Sequence, residues 1–245
     1  MSRNFDGEIQ DNSFRDYNYG FDVITRRFLL QEFSRNFDAN AVKVLEVGSY
    51  DGSMTEQILG YFEKVDVVEA SSKMAQAVQE KFGHRVCVYE GLIEDINIKE
   101  KYDIIFLIHT LEHVTDPTSV LIKLKSMLAE GGKIFIAVPN ANALSRQIAV
   151  NMGIINYNHD VPEGEAAQGH LRTYALDTFL FEFKKVQMEV IDSGGVILKA
   201  LANFQLDAAL AAGIIDEKYI TAANELAKKY PDFSTSIYAV VKPKK

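Results

Sequence analysis

The residues best suited to chemistry are two acids framing two glycines: Glu46, Gly48, Gly52 and Glu69. Glu46 lies near the end of the apolar run 42–47, which has the length and β-branched content of a buried strand. Gly48 stops that run, and residues 53–59, just past Gly52, read as the start of a helix. Strand, glycine turn and helix let backbone pass close to a nucleotide-like ligand at a helix N-terminus. Glu46 would repel a phosphate, and the GxxxxGK[ST] pattern of a phosphate loop is missing. A cationic or zwitterionic ligand suits that carboxylate. Glu69 ends a second strand, 64–69, and stands 21 residues after Gly48. That is close to the ~20-residue offset at which an acid reaches a ribose hydroxyl pair in doubly wound folds.

Histidines make a second set. His109 follows the apolar strand 103–108, and open α/β sheets bind ligands at strand C-terminal ends. His113, four residues on, completes an HxxxH pattern. Its one companion acid, Glu112, would point elsewhere on a helix, so the pattern is read as carrying no metal. His170 lies in the segment 169–174, after a glycine and two residues before Arg172. A histidine titrates near neutral pH and can take a hydroxyl proton, so His170 and His109 are the candidate catalytic residues, His170 first.

Glu46-x-Gly48-x-x-x-Gly52 and Glu69 resemble the first motif and the ribose acid of the Rossmann-like, class I methyltransferases dependent on S-adenosylmethionine (SAM). Tyr50 stands where that motif usually has a third glycine. Leu111-Glu112-His113 followed by Asp116-Pro117, and the later run Val138-Pro139-Asn140-Ala141, resemble the ubiquinone-biosynthesis type. The resemblance covers most of the chain. It implies SAM as cofactor and S-adenosylhomocysteine (SAH) as product. Glu46 would hold the methionine ammonium, with Gly48, Ser49, Tyr50 and Gly52 alongside. Glu69 and Ala70 would meet the ribose, and Leu92, Ile93 and Glu94 the adenine. His109 would line the cofactor or acceptor cavity, and His113 would be structural.

The elements that must position these residues follow in order. A helix is expected over 21–37, with Val23, Ile24, Phe28, Leu29, Phe33 and Phe37 at helical spacing. Before it, Tyr17-Asn18-Tyr19 reads as a lid, with Tyr19 toward the cofactor and Tyr17 toward the acceptor. Further strands are expected at 85–89, 133–138, 186–191 and 236–241. Ser71 and Asp116 read as helix caps, the latter with Pro117 at the first helical position. Helices are expected over 175–185 and, interrupted at Gly213, over 207–230. Gly131-Gly132 is expected to end a helix, and Gly194-Gly195 to break the chain. The fold class is α/β: a doubly wound, seven-stranded, mostly parallel sheet. The resemblance makes the last strand antiparallel and inserts it beside the fifth. Residues 1–40 form an N-terminal lid and helix. Residues 41–245 form the ligand-binding domain, with cover insertions at about 142–175 and 196–234.

The chain of 245 residues is 47% hydrophobic and carries a net charge of −8, ordinary for a soluble domain and poor for a nucleic-acid partner. Its single cysteine, Cys87, excludes an internal disulfide and is expected to be buried in the third strand. The polar start lacks a signal peptide's apolar core and no stretch is long enough to span a membrane, so a cytoplasmic protein is expected, possibly a homodimer. Arg26, Arg146, His170, Arg172 and Lys199 fall in segments expected to face the cleft, and Asn140 could hydrogen-bond an acceptor. This positive pocket in an acidic chain points to a small, anionic, hydroxyl-bearing acceptor. A sugar, a nucleotide-linked sugar or a phosphate-bearing compound of a capsule-polysaccharide or natural-product pathway fits. Alternatives are an N-methyltransferase on an amine and a non-catalytic protein of the same fold. A nicotinamide oxidoreductase is disfavoured by the missing GxGxxG.

Overall fold

The computed structural model describes Asp6 and residues 20–244. A seven-stranded sheet in the order β3-β2-β1-β4-β5-β7-β6 forms its centre. The strands are β1 (Val44–Val47), β2 (Val65–Glu69), β3 (Val86–Glu90), β4 (Tyr102–Ile108), β5 (Leu128–Pro139), β6 (Met188–Val196) and β7 (Ser236–Pro243). The first five pair in parallel, and β7 runs antiparallel to both of its neighbours, as the fold-class expectation has it. The helices are α1 (Gly20–Ser34), α2 (Ser53–Ile58), α3 (Ser72–Phe82), α4 (Pro117–Met127), α5 (Leu144–Asn151), α6 (Glu163–Ala166), α7 (Leu176–Lys185), α8 (Asn203–Ala211) and α9 (Glu217–Lys229).

The central strands are apolar on both faces because helices cover both. Along β4, Ile104, Phe106 and Ile108 enter one core while Ile105 and Leu107 enter the other, the alternation a strand imposes. The first core takes Phe21, Phe28, Leu29 and Phe33 from α1. The Phe33 ring stands edge-on to Phe135 at 5.3 Å and to Tyr238 at 5.5 Å. The second core takes Val120, Leu121 and Leu124 from α4 and Phe179 and Phe183 from α7. Truncating a ring such as Phe33 to alanine would cost about 3–5 kcal/mol through lost transfer energy and the cavity left behind. The start of α4 follows the sequence closely: the Asp116 carboxylate accepts from the Thr118 and Ser119 amides, with Pro117 in the first turn.

Four expectations are corrected. Gly194-Gly195 does not break the chain; both lie inside β6, where a Cβ on Gly194 would meet the Tyr238 ring and one on Gly195 would collide with Ser234. These glycines serve close backbone approach, not a turn. The helix expected to begin at 207 begins at Asn203, while the interruption expected at Gly213 (φ 67°) does fall between α8 and α9. The helix before Gly131 already ends at Met127. Cys87 is exposed, on a strand that is, among the described residues, the edge of the sheet and paired with β2 alone. Among the described residues no helix is long and apolar enough to cross a membrane.

Candidate active site

A cavity of about 670 Å³ opens at the C-terminal ends of β1, β2 and β4. Its floor is the turn from β1 to α2. Three residues in that turn are left-handed: Gly48 (φ 82°), Tyr50 (φ 48°) and Gly52 (φ 75°). Tyr50 thus adopts the conformation that a glycine would hold freely. A Cβ on Gly48 would stand 2.6 Å from Thr110 Oγ1, so only glycine lets β1 and the end of β4 meet there. Thr110 Oγ1 in turn donates to the Val47 carbonyl at 3.1 Å. Gly52 does not line the cavity; its missing Cβ makes room for Phe82.

Glu69 ends β2 with 7% exposure. Its Oε2 accepts from the Tyr50 amide at 2.8 Å and from Ser49 Oγ at 3.3 Å, and its Oε1 from the Ser71 amide at 2.9 Å. Burial raises the pKa of this carboxyl, opposed by those bonds. Ser71 caps α3, accepting from the Met74 amide, and donates to Asp6. Ala70, Leu92, Ile93 and Glu94 complete this end of the wall beside Ser49 and Tyr50.

Glu46 is buried in the central strand, between Val67 of β2 and Phe106 of β4. It is not itself part of the wall, though Val47 and Gly48 are. Thr55 Oγ1 donates to its Oε2 at 2.6 Å, while its Oε1 is buried without a hydrogen-bond partner among the described residues. Burial pushes this carboxyl up to about 8. Glu94 Oε2 is buried and unpartnered in the same way. These two buried acceptors, one in the wall and one behind it, with Glu69 between them in sequence, could be satisfied by a ligand carrying an ammonium and an aromatic amine.

The other end of the cavity contains both candidate histidines. His109 has φ 51°, and its Nε2 lies 3.0 Å from Ser236 Oγ. Burial, then the charges of Arg26 and His170, push His109 down to about 3. It is therefore neutral at physiological pH and a poor base. His170 Nδ1 lies 3.7 Å from Glu165 Oε2, and its ring stands edge-on to His113 with centroids 4.7 Å apart. Burial raises Glu165, and the facing His170 and Arg146 outweigh it to hold the carboxyl below its ordinary range. Two contacts bring these distant segments together. The Leu171 amide donates to the Glu112 carbonyl at 3.0 Å, and Arg172 donates to the Leu111, Val114 and Thr115 carbonyls. Residues 111–113 form a turn, not the helix that HxxxH spacing suggests. Glu112 is buried in the cavity wall and pushed up to about 7 by burial.

The expected positive pocket does not assemble. Arg172 holds the turn after β4. Arg146 donates to the Asn158 and Asp160 carbonyls and pairs with Glu165. Lys199 lies away from the cavity wall, donating to the Leu201 carbonyl at 2.8 Å near the Phe21 ring. Asn140 is likewise structural: its Nδ2 donates to the Asp232 and Ser234 carbonyls and its Oδ1 accepts from the Asn142 amide. Of the five basic side chains, Arg26 and His170 remain in the wall, and Arg26 donates to Ser53 Oγ at 2.6 Å. Tyr17 and Tyr19 lie outside the described residues. Sequence reasoning missed Asp22, Thr25, Thr110, Asn203 and Gln168, all in the wall. Only Thr110, next to His109 at the end of β4, stood where position alone could have pointed to it.

Residues 15–193 match a family model described as a methyltransferase domain. A ubiquinone biosynthesis O-methyltransferase of Pseudomonas savastanoi pv. phaseolicola is 32% identical over 113 residues, which is 44% of this chain and 49% of that one. One from Leptothrix cholodnii is 28% identical over 121 residues, 45% of this chain and 50% of that one. The chain thus spans about half the length of the curated relatives it matches. Among solved structures, a possible histamine N-methyltransferase from Thermotoga maritima superposes with TM-score 0.65 at 14% identity, covering 98% of this chain and 96% of that one. A plantazolicin methyltransferase in complex with SAH superposes with TM-score 0.62 at 14% identity, covering 98% and 91%. At these identities the structural likeness speaks to the fold alone.

Proposed function

This chain belongs to the methyltransferase-domain family, of the class I SAM-dependent fold, and from that premise we propose that it methylates an oxygen of a small molecule held at the His170 end of the cavity. The single observation that carries the reading is a trio of carboxylates, Glu69 and Glu94 in the cavity wall and Glu46 behind it, next to Val47. Glu69 is braced by the loop it faces, and Glu46 Oε1 and Glu94 Oε2 are buried and unpartnered. An adenosyl amino acid satisfies all three, with its ammonium on Glu46, its ribose hydroxyls on Glu69 and its adenine amine on Glu94. SAM held there would supply an electrophilic sulfonium methyl to the acceptor oxygen, with sulfur taking the electron pair of the broken S–C bond.

The chain's part is alignment, exclusion of water and handling of one proton. Glu69 and the Gly48 turn fix the nucleoside end. His109, neutral and facing Ser236, packs beside the reacting centre without taking the proton. His170, oriented by Glu165, is the side chain that meets the acceptor hydroxyl. An O-acceptor is favoured because an amine needs only to be neutral, whereas a hydroxyl benefits from this dyad. With Arg146, Arg172 and Lys199 held by main-chain carbonyls, the acceptor is a hydroxyl-bearing small molecule, with Arg26 and His170 the basic side chains in the wall around it. Two measurements test this. SAH should bind the purified protein by calorimetry. Methyl-labelled SAM incubated with a metabolite extract should yield a labelled methyl ether. No SAH binding overturns the family activity, and a labelled amine overturns the O-acceptor.

A further inference from the structure

Asn203, Gln168 and Thr235, in the cavity wall, have hydrogen-bonding capacity that the described residues do not use. Asn203, at the start of α8, donates one Nδ2–H to Asp22 Oδ1 of α1 at 2.6 Å. A carboxylate oxygen so close accepts, so the amide oxygen is turned away from it. That amide oxygen and the second N–H make no hydrogen bond among the described residues. Gln168, in the turn after α6, ties its main-chain N–H to the Glu165 carbonyl, while its side-chain amide is uncommitted among the described residues. Thr235 Oγ1 is buried and likewise unpartnered. Thr235 stands next to Ser236, whose Oγ lies 3.0 Å from His109 Nε2. Arg26, one turn after Asp22 on α1, is close enough for its charge to act on His109. The Asn203 side of the wall therefore adjoins the His170 end.

An amide and a hydroxyl each offer both a donor and an acceptor, as the hydroxyls of a ligand do. The described wall at this end contains no Phe, Tyr or Trp, the side chains against which a flat aromatic acceptor packs. Asp22 beside Asn203 opposes a phosphate there. We propose that Asn203, Gln168 and Thr235 select the acceptor, and that this acceptor is a polyol, with several hydroxyls on saturated carbons. One hydroxyl meets His170, and the others bind these three side chains. The proposal rests on the methyltransferase reading and narrows its hydroxyl-bearing acceptor to one class. Selection of this kind is steep, because an analogue lacking a hydroxyl leaves polar groups of the site unpaired.

The test is labelled-methyl transfer from SAM to a metabolite extract supplemented with unphosphorylated sugars and cyclitols, with mass spectrometry of the product. The expected product is a methyl ether that keeps at least two free hydroxyls on saturated carbons, counted by acetylation. Any other labelled product, an aromatic ether included, overturns the proposal. SAH binding by calorimetry with no labelled product from that mixture also overturns it and leaves the cofactor reading standing. Absence of SAH binding sinks the methyltransferase reading itself. With the acceptor in hand, Asn203→Leu and Thr235→Val should each raise its KM roughly tenfold and leave SAH affinity within about twofold. Thr235→Ser, which keeps the hydroxyl, should restore the KM. Thr235→Val removes a hydroxyl that no described residue bonds, so its midpoint in a denaturant titration should not fall. An unchanged KM in both variants, or a KM that rises only in step with lost stability, overturns the selecting role.

Discussion

At the Glu69 end of the cavity the wall comes from strand ends and the turns that directly follow them: residues 48–50, 68–71 and 91–94. At the His170 end it is gathered from 108–115, 168–170 and 235–236, segments joined only by long-range contacts. The first end is braced internally, as Glu69 accepts from Tyr50, Ser49 and Ser71 within its own two turns. The second depends on Arg172 and the Leu171 amide to hold one loop on another. A family can therefore keep the first end while loop changes remake the second, which is how one fold serves many acceptors.

Substitutions should separate the two ends. Glu69→Ala has the largest expected effect. It removes the proposed ribose partner and frees two loop amides, so SAH affinity should fall roughly 10²–10³-fold by calorimetry. Near-normal affinity would break the assignment of the Glu69 end. His170→Ala should lower turnover roughly 10²-fold and leave SAH affinity within about twofold, measured by labelled-methyl transfer and calorimetry. If affinity fell in step with turnover, the two ends would be one unit.

Gly48→Ala should weaken SAH about tenfold, through collision with Thr110 and strain at positive φ. Adding Thr110→Ala should recover the steric part and leave the strain, so partial recovery of affinity is the expected reading. A smaller effect concerns pH. Glu46 is held at about 8 in the free protein, above its ordinary 4.5, so it is largely protonated at neutral pH. A bound ammonium favours the ionised form and lowers that value. Binding therefore releases a proton, and SAH affinity should rise with pH up to about 8 and then level. Calorimetry in buffers of different ionisation enthalpy counts the proton, and Glu46→Gln should flatten the profile. At the bottom of the scale, Cys87→Ser on the exposed edge should change stability by under about 0.5 kcal/mol in a denaturant titration.

The same contrast explains what could be read from the chain directly. Glu46, Gly48 and Glu69 declare themselves because strand, turn and acid are contiguous and the spacing is set by one βαβ unit. The proximity of His170 to Glu112 is not declared, since it depends on where a distant segment folds back. Arg146, Arg172 and Lys199 look like ligand-binding charges in sequence because a long cation seeking a main-chain carbonyl has no local pattern. Gly194-Gly195 misleads for a related reason: glycine marks both turns and close approaches, and only the Tyr238 ring decides between them.

The antiparallel strand β7 has a consequence for assembly in time. It follows every other strand in sequence, yet it takes the place between β5 and β6. As the chain leaves the ribosome, β1 to β5 can pair in turn, whereas β6 has no neighbour until residues 236–243 emerge. Until then β5 and β6 both present open edges, the kind of surface that invites association with other chains. Thr235 and Ser236, which close the cavity beside His109, arrive at that same last step. Ligand-binding competence is thus tied to completion of the sheet, and a nascent chain stalled before β7 would expose strand edges before it could hold a ligand.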